Sequence, residues 1–361
     1  MRLLLFFWGS GEGGDASATI ELARSLAENG QPSTLAAYAF SNPEAFKQKA
    51  LGAGLEEPIL VQDPGEVFGL GRLQRGAFDL IHVHHGTPVP KRTDIVPLRK
   101  TAGGLPMVLT VHGPTPLSEI TYGGWKSRLS RMISARWFRA VIVPSQAKVA
   151  EWRRMTPFSG NVVAIPNVVR FFKEIPRREA RADFQIPADA KVALYCSRLD
   201  QEKQPMAFVR AIELAVPACP NLVGLMAGSG QMVNECAKYI SAKGLPVRLL
   251  GYVTDVERLY SAANVFVQCS TYESFGITLL QAAALGLPCV ASEIPVFREM
   301  YRELDSFAWW DLKCEQGLAE AITAQLEREP DTSGQMVLKD RYSESAVVQA
   351  HLALYRKVLG R

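Results

Sequence analysis

The chain has 361 residues, 48% of them hydrophobic and 21% charged, ordinary globular proportions that exclude a disordered, collagenous or coiled-coil protein. A formal net charge of +4 suits an anionic small molecule or an anionic membrane surface; with no interleaving of basic and aromatic residues, it argues against nucleic acid. The length exceeds one ordinary domain and suggests two of ~150 to 200 residues each.

The first element is the apolar run LLLFFW after Arg2, too short for a secretory core or a bilayer span and readable as a buried strand. It enters Gly9-x-Gly11-x-x-Gly14 and then the helical pattern DASATIELARSLAENG. Strand, glycines and helix at that spacing match the dinucleotide fingerprint. That fingerprint also needs a carboxylate at the tip of the second strand to hold ribose hydroxyls. The candidate strand STLAAYAF runs instead into Ser41, Asn42 and Pro43, and Glu44 comes too late. A glycine turn at a helix start equally accepts any phosphate or polar ligand that approaches backbone amides.

PILVQ, FDLIHVHH, PMVLTVH and AVIVPS are predicted as further strands. Their apolar runs are continuous rather than alternating, which implies strands covered on both faces and hence a parallel sheet. In IHVHHG, His82 and His84 fall on one strand face and His85 on the other, with packing and substrate contact both open; His112 ends PMVLTVH. The stretch WKSRLSRMISARWFRA sets Trp125, Leu129, Ile133 and Trp137 at four-residue steps, with Lys126, Arg128, Arg131, Arg136 and Arg139 around them. It reads as a basic amphipathic helix lying on anionic lipid, or as a domain helix with a solvated basic side.

A boundary is expected in IPNVVRFFKEIPRREARADFQIPADA, where Pro166, Pro176 and Pro187 and dense mixed charge break the strand rhythm. KVALYCSRL, LVGLMAG, VRLLGYV, VFVQCS, PCVAS and SFAWW then repeat that rhythm, so the chain is α/β with two doubly wound domains, 1–168 and 169–340. SESAVVQAHLALYRKVLG, with Val347, Val348, Leu352, Tyr355 and Leu359 near helical spacing, gives a carboxyl-terminal helix within 341–361 that can return to the first domain. The six cysteines all lie in the second half without a C-x-x-C pair and read as scattered reduced thiols. No D-x-D pair occurs to bridge a metal and a diphosphate, and no cofactor is expected.

Ligands of open parallel sheets bind beyond the carboxyl ends of the strands, so the two sheets are expected to share a cleft. Two motifs follow strands. In SRLDQEKQP, Arg198 and Lys203 near the next helix start make a diphosphate clamp, or else an ion pair with Asp200 or Glu202. In STYESFGITLLQAAALGLPCVAS, Glu273 precedes Gly276 and a helix whose first amides face the site, with Gln281 about two turns deep; Glu273 as a helix cap is the alternative.

Those motifs, with GSG at 228–230, LLGYVTDVERLYSAANVFVQCS and the amino-terminal GGDASATIELARSLAENG, resemble the family-4 retaining glycosyltransferases of the GT-B fold. The likeness spans nearly all of the second domain and thinly the first. It implies a nucleotide-diphosphate-sugar donor, held in 169–340, and a glycan or lipid-linked acceptor on the side of 1–168. Arg198 and Lys203 would hold the donor diphosphate and Glu273 the hydroxyls of the donor sugar. The backbone from Ser274 through Phe275 and Gly276 to Ile277 would face sugar and phosphates, and Val253 would offer its backbone to the base. Gly13 and Gly14 match the family's loop near the phosphates and acceptor, and His112 would stand against the donor sugar. The family's second Glu is Gln281 here, at the position that binds the ribose hydroxyls, which puts the donor's identity and affinity in question. The resemblance implies a cytoplasmic, metal-independent, retaining hexosyltransferase of bacterial envelope or exopolysaccharide synthesis, peripheral at the inner face of the plasma membrane where the basic helix binds lipid.

Overall fold

The computed structural model describes every residue except 12, 69–72, 87–89, 114–129, 131, 132 and 156–160. The described chain divides into two compact units, Met1–Val169 with Tyr342–Arg361, and Arg170–Arg341.

The first unit holds β1 (Leu3–Gly9), β2 (Ser33–Ala39), β3 (Ile59–Leu60), β4 (Leu80–His85), β5 (Met107–Val111), β6 (Ala140–Val143) and β7 (Asn161–Ala164). All pair in parallel, in the order β3-β2-β1-β4-β5-β6-β7. Every residue of β1 is buried, and alternate side chains serve opposite faces. Leu3, Leu5 and Phe7 pack with α1 (Gly14–Glu28) and with Val347, Val348, Leu352 and Tyr355 of the helix Glu344–Val358. Leu4, Phe6 and Trp8 pack on the other face with Ile81, Val83, Ile95 and Leu98. A strand covered twice in this way has no polar face to show, which is why its sequence is a continuous apolar run.

Two expectations need correction. PILVQ pairs over Ile59 and Leu60 alone, against Ala36 and Ala37 of β2. The edge strand β7, whose short NVVA lies just before Pro166, was absent from the expected strands. The helix Glu344–Val358 falls within the expected segment and is capped by Ser343, whose hydroxyl accepts from the Ala346 amide at 3.4 Å. It is tied to α1 as well as to the sheet. Arg24 pairs with Glu344 at 2.7 Å, and the Ser25 hydroxyl donates to the same carboxylate at 2.8 Å.

The second unit holds β8 (Lys191–Cys196), β9 (Leu222–Ala227), β10 (Val247–Gly251), β11 (Val265–Gln268), β12 (Cys289–Ser292) and β13 (Phe307–Trp310), all six of them foreseen. They too are parallel, in the order β10-β9-β8-β11-β12-β13. Ala193 and Tyr195 of β8 pack on Phe208, Ile212, Leu318 and Ile322 from the helices Pro205–Ala215 and Glu315–Leu326.

Of the expected basic amphipathic helix, Trp125, Lys126, Arg128, Leu129 and Arg131 lie outside the described residues. Trp137 packs against the core beneath the Arg99 guanidinium, 4.6 Å from the ring centroid. Among the described residues no helix is long and apolar enough to cross a membrane.

Candidate functional site

In the second unit the candidate residues gather at the carboxyl ends of β8 and β11. After β8, one turn of 3-10 helix (Gln201–Lys203) precedes the helix Pro205–Ala215, and Gln204 between them is left-handed (φ 51°, ψ 51°). Lys203 therefore sits just before that helix, at the end of the 3-10 turn, near the helix start where the sequence put it. The buried Tyr195 hydroxyl lies 3.1 Å from the carbonyl oxygens of both Arg198 and Lys203 and shares its proton between them, which pins the turn from beneath. GSG explains the turn's other wall: the Leu199 amide donates to the Ser229 carbonyl at 2.9 Å, and a methyl group on Gly228 would stand 1.9 Å from the Ser197 carbonyl oxygen. Only glycine allows that approach.

Lys203 Nζ meets Glu273 Oε1 at 2.7 Å, with both side chains largely buried (12% and 14% exposed). The same oxygen accepts from Gln268 Nε2 at 3.0 Å and Ser270 Oγ at 2.9 Å. All three donors converge on Oε1, and Oε2 has no partner among the described residues. Glu273 is thus no helix cap. The helix Ile277–Ala284 is capped by Gly276 in the left-handed region (φ 82°), where a methyl group would stand 2.6 Å from the Phe297 ring. The Ser274 and Phe275 side chains are buried, which leaves backbone to present at that helix start.

Arg198 is 59% exposed and bonded to Asp200 and, at 2.5 Å, to Glu202. The alternative ion pair is the one formed. An exposed pair of this kind contributes only ~0 to 1 kcal/mol, against ~1.5 to 3 for a charge-assisted hydrogen bond, so it holds the guanidinium without locking it. Gln281 is the fifth residue of its helix, little more than one turn from Gly276 rather than two. Its amide nitrogen donates to the Arg170 carbonyl at 3.2 Å, and its oxygen accepts from the Tyr260 hydroxyl at 3.4 Å. A carboxylate could not make the first of these bonds, a physical reason for glutamine at this position. Val253 is partly buried in the loop after β10, two residues past Gly251 (φ 66°).

In the first unit, Gly13 caps α1 in an extended conformation with no side-chain bond, and Gly14 opens the helix. Beyond β5, the His112 amide donates to the His85 carbonyl at 3.0 Å. The His112 ring meets His84, Nε2 to Nδ1 at 2.9 Å. Burial lowers the His112 pKa to about 4, partly opposed by a hydrogen bond to the Asn167 side chain; burial also holds His84 well below the usual histidine range. Both are neutral at pH 7, and one carries the shared proton. His82 is structural, its two ring nitrogens bonded at 2.6 Å each to the Tyr355 hydroxyl and Thr110 Oγ1. His85, on the other strand face, lies edge-on to Trp8 with ring centroids 5.1 Å apart.

Residues 176–340 match the family described as Glycosyl transferases group 1, and residues 13–170 match Glycosyltransferase Family 4. The chain belongs to glycosyltransferase family 4. The phosphatidyl-myo-inositol mannosyltransferase of Mycolicibacterium smegmatis is 26% identical over 298 residues, 80% of this chain and 73% of that protein. The lipopolysaccharide core biosynthesis glycosyltransferase LpsD of Rhizobium meliloti is 30% identical over 221 residues, 58% of this chain and 60% of that one. Anabaena HepE, solved with UDP-glucose, superposes with a TM-score of 0.79 at 20% identity, covering 98% of this chain and 99% of HepE. The two parallel sheets are those of the GT-B fold.

For a family-4 glycosyltransferase, the sequence had missed Gln268 and Ser270, which hold Glu273 in place. Their signal was a glutamine and a serine at the end of the apolar strand VFVQCS, where a buried polar side chain requires a partner. It had also passed over His84 as partner to His112.

Proposed function

We propose that this glycosyltransferase moves a hexose, with retention and without a metal, from a nucleotide-diphosphate sugar to a hydroxyl acceptor of the bacterial envelope or of an exopolysaccharide. The observation that carries this reading is the Lys203 and Glu273 pair. It is a preorganised cation beside a carboxylate with one oxygen free, at the carboxyl end of β11, with Arg198 across the turn and the helix start at Gly276 beside it. Lys203 and Arg198 take the donor's diphosphate, and Oε2 of Glu273 accepts a hydroxyl of the donor sugar. As the glycosidic bond breaks through an oxocarbenium-like transition state, charge grows on the departing diphosphate, and donors already aimed there stabilise it. The acceptor oxygen attacks the face the diphosphate leaves, the leaving phosphate oxygen takes its proton, and the configuration is retained. His112, neutral, contributes a hydrogen bond to the sugar. The relatives named for phosphatidyl-myo-inositol and lipopolysaccharide core support a glycan or lipid-linked acceptor.

Calorimetry of the full chain against UDP-, GDP- and ADP-sugars tests the donor site. One nucleotide is expected to bind, and Lys203→Ala and Arg198→Ala each to weaken it by roughly tenfold or more, ~1.5 to 3 kcal/mol. Binding that survives both changes refutes the clamp. Proton NMR of the product's anomeric signal decides retention, and turnover that persists in EDTA decides metal independence. Free sugar released without acceptor, or an isomerised donor, identifies a hydrolase or an epimerase instead.

A further inference from the structure

We propose that His84 is a positioning residue: its Nδ1 donates a hydrogen to His112 Nε2, which fixes His112 as the tautomer that carries its own hydrogen on Nδ1. The inference rests on the transferase reading above, in which His112 bonds the donor sugar. It adds which nitrogen makes that bond, as a donor, and what holds the hydrogen there.

β4 breaks the apolar rule that β1 obeys. Every residue of the strand is buried, yet His82 and His84 occupy alternate positions on one face, 0% and 1% exposed. His82 is accounted for by bonds at both ring nitrogens. The His84 ring packs against it, with centroids 4.1 Å apart, and bonds through Nδ1, at 2.9 Å to His112 Nε2. Its other nitrogen, Nε2, is buried and has no partner among the described residues. An unsatisfied buried polar atom costs ~1 to 3 kcal/mol, which an aliphatic side chain would avoid. Packing therefore gives no reason for a histidine at this position, and the bond to His112 does.

The hydrogens of the pair choose the direction of that bond. Burial keeps both rings neutral, so each carries one hydrogen. Were His112 to donate from Nε2, the hydrogen of His84 would stand on its own Nε2, a buried N–H with nothing among the described residues to receive it. With His84 donating, that atom is only a bare lone pair. Orphaned buried N–H groups are the rarer of the two defects in folded proteins. The hydrogen of His112 is then on Nδ1, since its Nε2 is the acceptor. The Asn167 side chain raises the His112 pKa through a hydrogen bond, as an oxygen accepting from the ring does.

The first test is nitrogen NMR of the histidine rings in the full chain at neutral pH, which tells a ring nitrogen that carries hydrogen from one that does not. In the unmodified protein, His84 and His112 are both expected to carry theirs on Nδ1. In His84→Leu, part of the His112 population should shift its hydrogen to Nε2. The second test is calorimetry with UDP-glucose, GDP-mannose and ADP-glucose, each beside the same nucleotide without its sugar. For whichever pair binds, His84→Leu should weaken the sugar nucleotide by about threefold to tenfold and change the bare nucleotide by less than about twofold, with a melting temperature level or raised. His84→Asn, whose amide sets a donor close to where Nδ1 stood, should recover most of the lost affinity, and decides the matter should His84→Leu fail to fold. A hydrogen on Nε2 of His112 in the unmodified protein, equal losses for sugar nucleotide and nucleotide, no loss in His84→Leu, or His84→Asn as weak as His84→Leu each overturns the assignment. Should no nucleotide bind the unmodified protein, the transferase reading falls, while the ring hydrogens still decide the direction of the bond.

Discussion

Gln281 shows how one atom type tunes a position. Its amide nitrogen donates to the Arg170 carbonyl, so Gln281→Glu would lose that bond and set a carboxylate against a carbonyl oxygen. A loss of ~0.5 to 1.5 kcal/mol is expected, read as a fall in melting temperature of about 2 to 6 °C in a unit of this size. An unchanged melting temperature would mean the contact is dispensable. Tyr195→Phe removes the proton shared by the Arg198 and Lys203 carbonyls while leaving the ring in place. Nucleotide affinity should drop about threefold to tenfold, ~0.5 to 1.5 kcal/mol, by calorimetry. Residues like these were only half legible in the sequence. Spacing marked Glu273 and Gln281 as neighbours along the chain, but the Arg170 carbonyl that selects glutamine lies 111 residues away.

At the scale of elements, strands were read well where both faces are buried, because a doubly covered strand must be apolar throughout. β1 and β8 are examples, whereas β7 was too short and too close to Pro166 to stand out. The turn after β8 depends on Gly228, held at φ 138° with the Ser197 carbonyl where a side chain would begin. Gly228→Ala should cost ~3 kcal/mol or more, since a backbone atom cannot yield as a flexible side chain can. Chemical denaturation of the full chain would measure it, and a change below ~1 kcal/mol would show that the turn relaxes.

Across the whole chain, all five histidines lie in the first unit's share of the sequence, and four of them, His82, His84, His112 and His351, are held neutral by burial. His112 and His351 are each lowered to about 4, while the unfolded chain protonates them near the ordinary histidine value of 6.5. The unfolded state therefore binds more protons between these values, and the stability is present above the unfolded pKa and lost as pH falls through the window from 6.5 to about 4. For the fully buried His351 the contribution is on the order of 3 kcal/mol. Calorimetric melting at pH 7.5 and pH 5 should show a clear fall in the first unit's transition, with His351→Gln flattening that dependence. A melting temperature independent of pH across this window would mean that these rings open to solvent without cost.

The helix Glu344–Val358 completes a hydrophobic face on β1 whose own strands are finished by residue 164. During synthesis the part of that face that α1 leaves uncovered stays open while Arg170–Arg341 is made, so the earlier-born unit is the later one to mature, and the nascent chain carries an exposed apolar surface until the helix Glu344–Val358 emerges. A ribosome paused anywhere in the second unit would display this surface to chaperones, and a stop codon at 342 would make the exposure permanent.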